Sequence, residues 1–315
     1  MKENFAATNK VYQPKVKVIG LGYSGFKVAE YIKEQLNNIE CFTFESGNSV
    51  WTSSLDEKHK IVFSGEANLS NSESIKSDQK YSLKNKDKIK EIVKNTDLVF
   101  VVSDIGSGED VETAAIVTQI AKEQGATNIV FAVTPADFEG KKRNETAKKT
   151  LEIFQEEKNI DGIIIVSKQR FINIFEKKAT FQELCDFVSS ETAKAIKSII
   201  DTFQDGLIRF NFDDFKKFIA NAGYIGIGIS EKTKDIKSEI KAMADYPMIQ
   251  GSFEHAEKII ISIKTGKDVI LSQINEIIQT IQEVYNVKGD AEILFGVQTV
   301  KEFKTDEVRV TVITA

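Results

Sequence analysis

A glycine-rich turn that closes an apolar run is where this sequence could hold a phosphate. It is Gly20-Leu21-Gly22-Tyr23-Ser24-Gly25, a GxGxxG spacing between the β-branched run 15–20 and a helical pattern over 23–36. Glycines at such a junction let backbone amides approach a phosphate, which the helix N-terminus then stabilises. Glu45, closing the next apolar run, stands where a dinucleotide-binding fold places its ribose-binding acid. The purely structural reading of these glycines is a tight turn with close strand–helix packing. A second glycine turn, Gly106-Ser107-Gly108, is followed by Glu109, Asp110 and Glu112 and reads as a helix start: Ser107 caps with Asp110 three residues on, and the acids suit the helix dipole.

The elements that must position these turns follow from periodicity. Apolar runs at 15–20, 41–44, 98–103, 128–134 and 162–167 read as strands. They alternate with helical patterns over 23–36, 87–94, 110–124 and 144–157, which argues for a Rossmann-like parallel sheet with helices on both faces. Residues 64–85 are polar and lack periodicity, so they read as a loop. A helical pattern over 180–203, with Leu184, Phe187, Val188, Ile196, Ile199 and Ile200 on its apolar face, is long enough to bridge two domains. Beyond it, strands at 224–229, 258–264, 291–297 and 307–314 with helices at 232–243 and 269–285 form a second, smaller α/β unit, expected to pair antiparallel. The expected division is 1–180, a connecting helix over 181–206, and 207–315.

Composition narrows the functions. The chain has 315 residues and net charge -5, so no basic field draws nucleic acid or anionic lipid. Its two cysteines, Cys41 and Cys185, sit in apolar stretches without CxxC spacing and read as buried thiols of a reducing compartment. His59 and His255 are far apart and lack ligand-spaced companions, so they read as solvated or locally bonded; no metal site or Ser-His-Asp triad is expected. No apolar run reaches membrane-spanning length and residues 1–14 lack a signal-peptide pattern, so a cytoplasmic protein without membrane insertion is expected.

The segment LVFVVSDIGSGEDVE at 98–112, continuing as TAAIVTQIAKE to 123, resembles the strand, signature loop and helix of the FtsZ/tubulin family. FEGKKR at 138–143 is similar to that family's ribose- and base-contacting segment, and YIGIGI at 224–229, ILFG at 293–296 and VRVTVITA at 308–315 match in character and order. The resemblance implies GTP bound on the first domain and subunits stacked head to tail, with a loop from the neighbour completing the catalytic site. It implies cofactor-contacting roles for Gly20, Gly22, Gly25, Gly106, Ser107, Gly108, Glu139 and Arg143. It also places Arg209, Asn211 and Asp214 in the catalytic loop.

Departures from the family pattern reshape that expectation. Where the family's phosphate loop reads GGGTGTG this chain has Gly106 to Glu112 with its three acids, and Tyr23 and Phe26 replace glycines of the first loop. One carboxylate about 4 Å from a phosphate charge costs roughly 4 kcal/mol at an effective dielectric of about 20. That is on the order of a thousandfold in affinity. Lys27 replaces a base-contacting asparagine, and the family's guanine-reading acid falls near Ser189 or Ser190. The glycine-rich segment over the γ-phosphate has no counterpart in 68–81. Against Asn-x-Asp-x-x-Asp the chain offers Arg209, Asn211 and Asp214, of which only the last acid matches. The expectation is a self-associating FtsZ-like protein with weak or no GTP hydrolysis. It requires no cofactor, though GTP, GDP or magnesium remain compatible. Its partner is a second copy, with another FtsZ-like chain as the alternative. Two other readings stay open: an atypical GTP-binding GTPase using Glu109, Asp110 or Asp214 to hold a cation, and a Rossmann-type NAD-dependent enzyme.

Overall fold

The computed structural model describes residues 12–36, 38–46, 52–63, 85–106, 108–174, 179–203, 206–208, 210–244, 248, 256–285, 287 and 291–315. Among them the strands form two sheets. The larger is seven-stranded and parallel, in the order β3-β2-β1-β4-β5-β6-β7. Its strands are β1 (Val16–Leu21), β2 (Glu40–Ser46), β3 (Lys60–Phe63), β4 (Leu98–Asp104), β5 (Thr127–Thr134), β6 (Gly162–Ser167) and β7 (Gly223–Tyr224). Every residue of β4 and β6 is buried, as a sheet covered on both faces requires.

Alternation along these strands divides the core in two. Val18, Phe100, Val102, Phe131 and Ile164 face one layer, where α1 (Gly22–Gln35) and the long α6 (Phe181–Asp201) pack. Ile19, Val99, Val101, Val130 and Ile163 face the other, covered by α2 (Lys86–Val93), α3 (Gly108–Glu123) and α4 (Lys141–Glu156). A short α5 (Lys168–Ile172), not foreseen from periodicity, follows β6 directly. The predicted apolar face of α6 is the observed one: Leu184, Val188, Ile196, Ile199 and Ile200 are core, and Phe187 packs against it.

The same core runs on into the second sheet, through Ile227, Ile260 and Ile313. That sheet has the order β10-β9-β11-β8, formed by β8 (Gly226–Ile229), β9 (Lys258–Thr265), β10 (Glu292–Thr299) and β11 (Val308–Thr314). β11 pairs antiparallel with β8 and β9, but β9 and β10 are parallel. The expectation of antiparallel pairing is corrected there, because helix α9 (Leu271–Val284) carries the chain across as a βαβ crossover. The run read as one strand at 224–229 is two: β7 joins the first sheet and β8 the second. Ile225 crosses between them, donating its N–H to Ile163 O at 2.8 Å and packing on Gly162. Short helices α7 (Phe212–Ile219) and α8 (Ile236–Ala244) complete the described elements.

Polarity of the sheet decides where a site can form. β1, β4, β5 and β6 are parallel, so their C-terminal ends share one edge. α6 starts at that edge, where Tyr23 of α1 donates a hydrogen bond to Asp186 Oδ1 at 2.9 Å. It ends at the opposite edge, where Gln13, just ahead of β1, donates to Phe203 O at 3.3 Å. At 21 residues α6 spans roughly 32 Å.

Charge as well as apolar packing ties α6 to the second sheet. Asp201, in its last turn, accepts from Lys197 at 3.0 Å and from Lys264 of β9. Burial pushes the Lys264 ammonium below its ordinary pKa, and the Asp201 carboxylate opposes that loss. Asp201→Ala would leave this cation buried beside Lys197 without its counter-charge. The variant is expected to lose about 3 kcal/mol of unfolding free energy in urea titration. A loss below about 0.5 kcal/mol would make the pair incidental.

Candidate functional site

The edge formed by the strand C-termini gathers most of the phosphate-site candidates. At the first turn, glycine is demanded by backbone packing. A side-chain carbon on Gly20 would lie 2.1 Å from Gly25 O, and one on Gly25 would lie 2.6 Å from Val102 O. Gly22, at φ +70, makes the turn itself. These contacts account for the GxGxxG spacing through close packing of β1, α1 and β4.

What the turn cradles is a carboxylate of the chain itself. Asp104, the last residue of β4, accepts from the Ser24 backbone N–H at 2.7 Å and from Ser24 Oγ at 2.8 Å. Ser24 lies in the first turn of α1, a helix with no side-chain cap on its N-cap residue and no acid of its own in that turn. Asp104 therefore supplies, from across the sheet, the negative charge that a helix N-terminus attracts. Asp110 comes to the same turn: a side-chain carbon on Gly22 would lie 2.7 Å from its Oδ2 and 3.1 Å from Asp104 Oδ2.

The counter-charge is Lys168, the first residue of α5. Its ammonium lies 3.3 Å from Asp104 Oδ1 and 3.7 Å from Glu139 Oε1, with all three side chains close to fully buried. Burial alone would lower the Lys168 pKa, but Asp104 and then Glu139 outweigh it and hold the group above its ordinary value. Glu139 also accepts from Ala136 N–H at 2.9 Å and lies 3.5 Å from Arg143 Nε, so its buried carboxylate joins three groups. Arg143 in turn packs on Gly106, where an added side-chain carbon would lie 3.1 Å from its Nε. Gly20, Gly22, Gly25, Gly106, Glu139 and Arg143 thus share one network, and Gly108 opens α3 beside it. Ser107 lies outside the described residues, as do residues 68–81.

Asp104 and Lys168 were missed by motif reading, yet a signal existed. Each is a charged residue directly ending or following an apolar parallel strand, LVFVVSD and GIIIVSK, which places it at the sheet edge where α/β folds bind ligands.

Beside this network, α1 and α6 leave a small cleft of about 260 Å³ lined by Tyr23, Phe26, Lys27, Glu30, Thr52 and Gln182. Tyr23 crosses it toward α6, bonded to Asp186 and Gln182; burial, followed by the Asp186 contact, pushes its hydroxyl up to about 12. The acid that α6 presents here is Asp186, one turn before the expected Ser189 and Ser190. Ser189 is fully buried and donates to Cys185 O at 2.8 Å, and Ser190 donates to Phe187 O.

The catalytic-loop candidates lie at the other end of the molecule, after α6. Asn211 and Asp214 cap α7 reciprocally: Asn211 Oδ1 accepts from Asp214 N–H at 2.8 Å, and Asp214 Oδ2 accepts from Asn211 N–H at 3.3 Å. Both are occupied by the helix start, and Arg209 lies outside the described residues. Among the described residues the two sets of candidates do not meet within one chain.

Other sequence readings resolve similarly. Glu45 is buried and accepts from Ser53 N–H at 2.9 Å and Thr52 Oγ1 at 3.0 Å, so its carboxylate serves its own loop. His59 is buried and locally partnered, its Nδ1 3.8 Å from Asp56 Oδ2 and its ring 5.4 Å from that of Phe42; His255 is outside the described residues. Cys41 and Cys185 are buried free thiols whose pKa burial pushes up, to about 12 and about 11. Among the described residues no helix is long and apolar enough to cross a membrane.

With this geometry in view, two family models match the chain: the Tubulin/FtsZ family GTPase domain over residues 15–176 and the FtsZ family C-terminal domain over residues 222–315. The cell division protein FtsZ of Aquifex aeolicus is 26% identical over 307 residues, covering 95% of this chain and 82% of that protein. Among solved structures, an FtsZ dimer from M. jannaschii superposes with a TM-score of 0.79 at 20% identity, over 96% of this chain and 88% of that one. A protofilament of TubZ from Bacillus thuringiensis serovar israelensis gives 0.78 at 14% identity, over 96% and 86%.

The buried Asp104–Lys168–Glu139 cluster sets a pH signature. Lys168 has its folded pKa raised above 10.5, so its stabilising contribution is complete below that value and lost only as pH climbs through the folded pKa. Lys168→Met, which strands two buried carboxylates, is expected to cost about 3 kcal/mol at neutral pH. In denaturant titrations the difference from wild type should hold steady from about pH 7 to 10 and shrink above that. A difference that vanishes between about pH 7 and 9 would contradict the assignment.

Proposed function

The chain belongs to the Tubulin/FtsZ family, and on that premise we propose that it is a self-assembling protein whose subunits stack head to tail without turning over GTP. One observation carries the reading: the Asp104 carboxylate sits on the Ser24 amide and hydroxyl with Lys168 as its counter-ion. The amide at the start of α1 is a donor that a phosphate would need, and it is already satisfied. An entering triphosphate would have to displace Asp104 from two hydrogen bonds and an ion pair. It would then lie against a displaced carboxylate and Asp110, with a repulsion of roughly 4 kcal/mol for each charge about 4 Å away.

The catalytic half of the reading is parallel. A water-activating loop needs a carboxylate or amide aimed away from its own helix. Asn211 and Asp214 are spent on each other at the N-terminus of α7. Assembly then draws on subunit contacts alone, in the cytoplasm, with a second copy as partner and no required cofactor.

A second reading has its own support. α6 presents Asp186 and Gln182 toward Tyr23 and the cleft, a set of donors and acceptors able to read a purine edge. On this reading the chain is an atypical GTP-binding GTPase in which nucleotide and magnesium prise Lys168 from Asp104.

Titration calorimetry with GTP and magnesium separates the two. Wild-type protein is expected to show no binding at micromolar concentrations and no phosphate release, while pelleting or scattering with and without nucleotide alike. Asp104→Gly, which frees the Ser24 amide and leaves Lys168 to face a phosphate, is expected to gain about ten- to a thousandfold in GTP affinity. Micromolar binding with phosphate release by the wild type would favour the atypical GTPase. A strictly monomeric species at every nucleotide and salt condition would end the assembly reading.

A further inference from the structure

Where the last turn of α6 meets the second sheet, cations outnumber carboxylates. Val308, Val310 and Val312 of β11 are buried in the core shared with α8 and α9, while Ile313 points the other way, into the core shared with α6. Arg309, between two of those valines, therefore stands on the α6 side of the sheet. Its partner in the antiparallel ladder is Lys264 of β9, so the two side chains share a face as cross-strand neighbours. Like charges opposed in this way repel. The effect is visible on Lys264: burial pushes its ammonium below the ordinary pKa, Asp201 opposes that, and Lys197 and Arg309 add to the push.

The carboxylates of this region are already committed. Asp201 accepts from Lys197 at 3.0 Å and from Lys264. Glu307, just ahead of β11, lies 3.0 Å from Lys232 Nζ and accepts from Lys304 N–H at 2.8 Å. Arg309 is in no ion pair with any described residue, and its Nε is buried with no hydrogen-bond partner. Its guanidinium carbon lies 6.0 Å from the Phe303 ring, the same ring that Lys232 Nζ approaches to 5.3 Å.

We propose that Arg309, Lys264 and Lys197 form a site for a phosphate dianion, free or carried as a small monoester. Three formal cations surround the Asp201 carboxylate, and a doubly charged oxyanion balances the excess. A guanidinium presents Nε and Nη as a planar fork that grips two oxygens of one anion, and Nε is the donor left over here. A carboxylate monoanion also fits the fork but leaves one positive charge unbalanced, so the dianion is favoured. The Lys197 and Lys232 side chains are 35% and 36% exposed and Arg309 is only partly buried, so the anion enters from solvent. Bound there, it ties the end of α6 to β9 and β11. This place lies at the far end of α6 from Asp104 and Lys168, and it depends on neither nucleotide nor assembly.

Calorimetric titration of the full chain with inorganic phosphate and, in parallel, with glycerol 3-phosphate tests the site at constant ionic strength. The wild type is expected to bind at least one of them with a millimolar Kd or better, and the tighter of the two identifies the source of the phosphate group. Acetate should bind at least about tenfold more weakly. Arg309→Gln removes the fork and should weaken phosphate binding at least about tenfold. Lys197→Gln, at a partly exposed position, removes one of the excess charges. It should weaken binding about threefold or more while melting like the wild type. In nitrogen-resolved NMR, phosphate should move the Arg309 Nε–H signal. Three results would each overturn the site. One is no binding of either phosphate below about 10 mM, or acetate binding equally well. Another is equal phosphate affinity in the wild type and either glutamine variant. The third is phosphate-induced shifts confined to the turns at Gly22 and Gly106.

Discussion

The site edge of this molecule depends on one ion pair. Asp104 satisfies the start of α1 through Ser24, and Lys168 neutralises the charge that this brings into a buried place. Glycine packing at Gly20 and Gly25 brings the start of α1 close enough to the end of β4 for a carboxylate to reach it. Glu139 extends the charge balance to Arg143, and Arg143 closes on the Gly106 turn. The chain itself supplies both the anion that meets this helix start and its counter-cation.

Helix α6 links this edge to the second sheet. The helix begins beside Tyr23 and the ion cluster and ends at Asp201, where a second buried pair with Lys264 grips the neighbouring sheet. Its apolar face joins the first sheet to Ile227, Ile260 and Ile313 of the second, so both sheets share a core through it.

Much of this was legible in the residues. Long apolar runs such as LVFVVS and GIIIVS read directly as buried parallel strands, and the spacing of Leu184, Val188, Ile196 and Ile200 gave the buried face of α6. Order and character of the loops pointed to the family. Pairing direction in the second sheet was misjudged, although the helix read at 269–285 between β9 and β10 already fits a crossover between parallel neighbours. The split at Ile225 was hidden for a related reason: YIGIGI alternates smoothly, and only the tertiary contact with Gly162 decides that it serves two sheets. At the site, attention to glycines drew the eye past Asp104 and Lys168. Their meaning lies in a pairing across two strands, which spacing along the chain does not encode. Asp186 was displaced by one helical turn for the same reason, since register between α6 and α1 is set by packing.

The central claim is that this carboxylate already occupies the place a phosphate would take. A high-resolution structure solved with excess non-hydrolysable GTP analogue and magnesium tests it most directly. The account predicts Asp104 still bonded to Ser24 and Lys168, with no triphosphate between the turns at Gly22 and Gly106. A triphosphate seated there, with Lys168 swung from Asp104 onto it, would contradict the account.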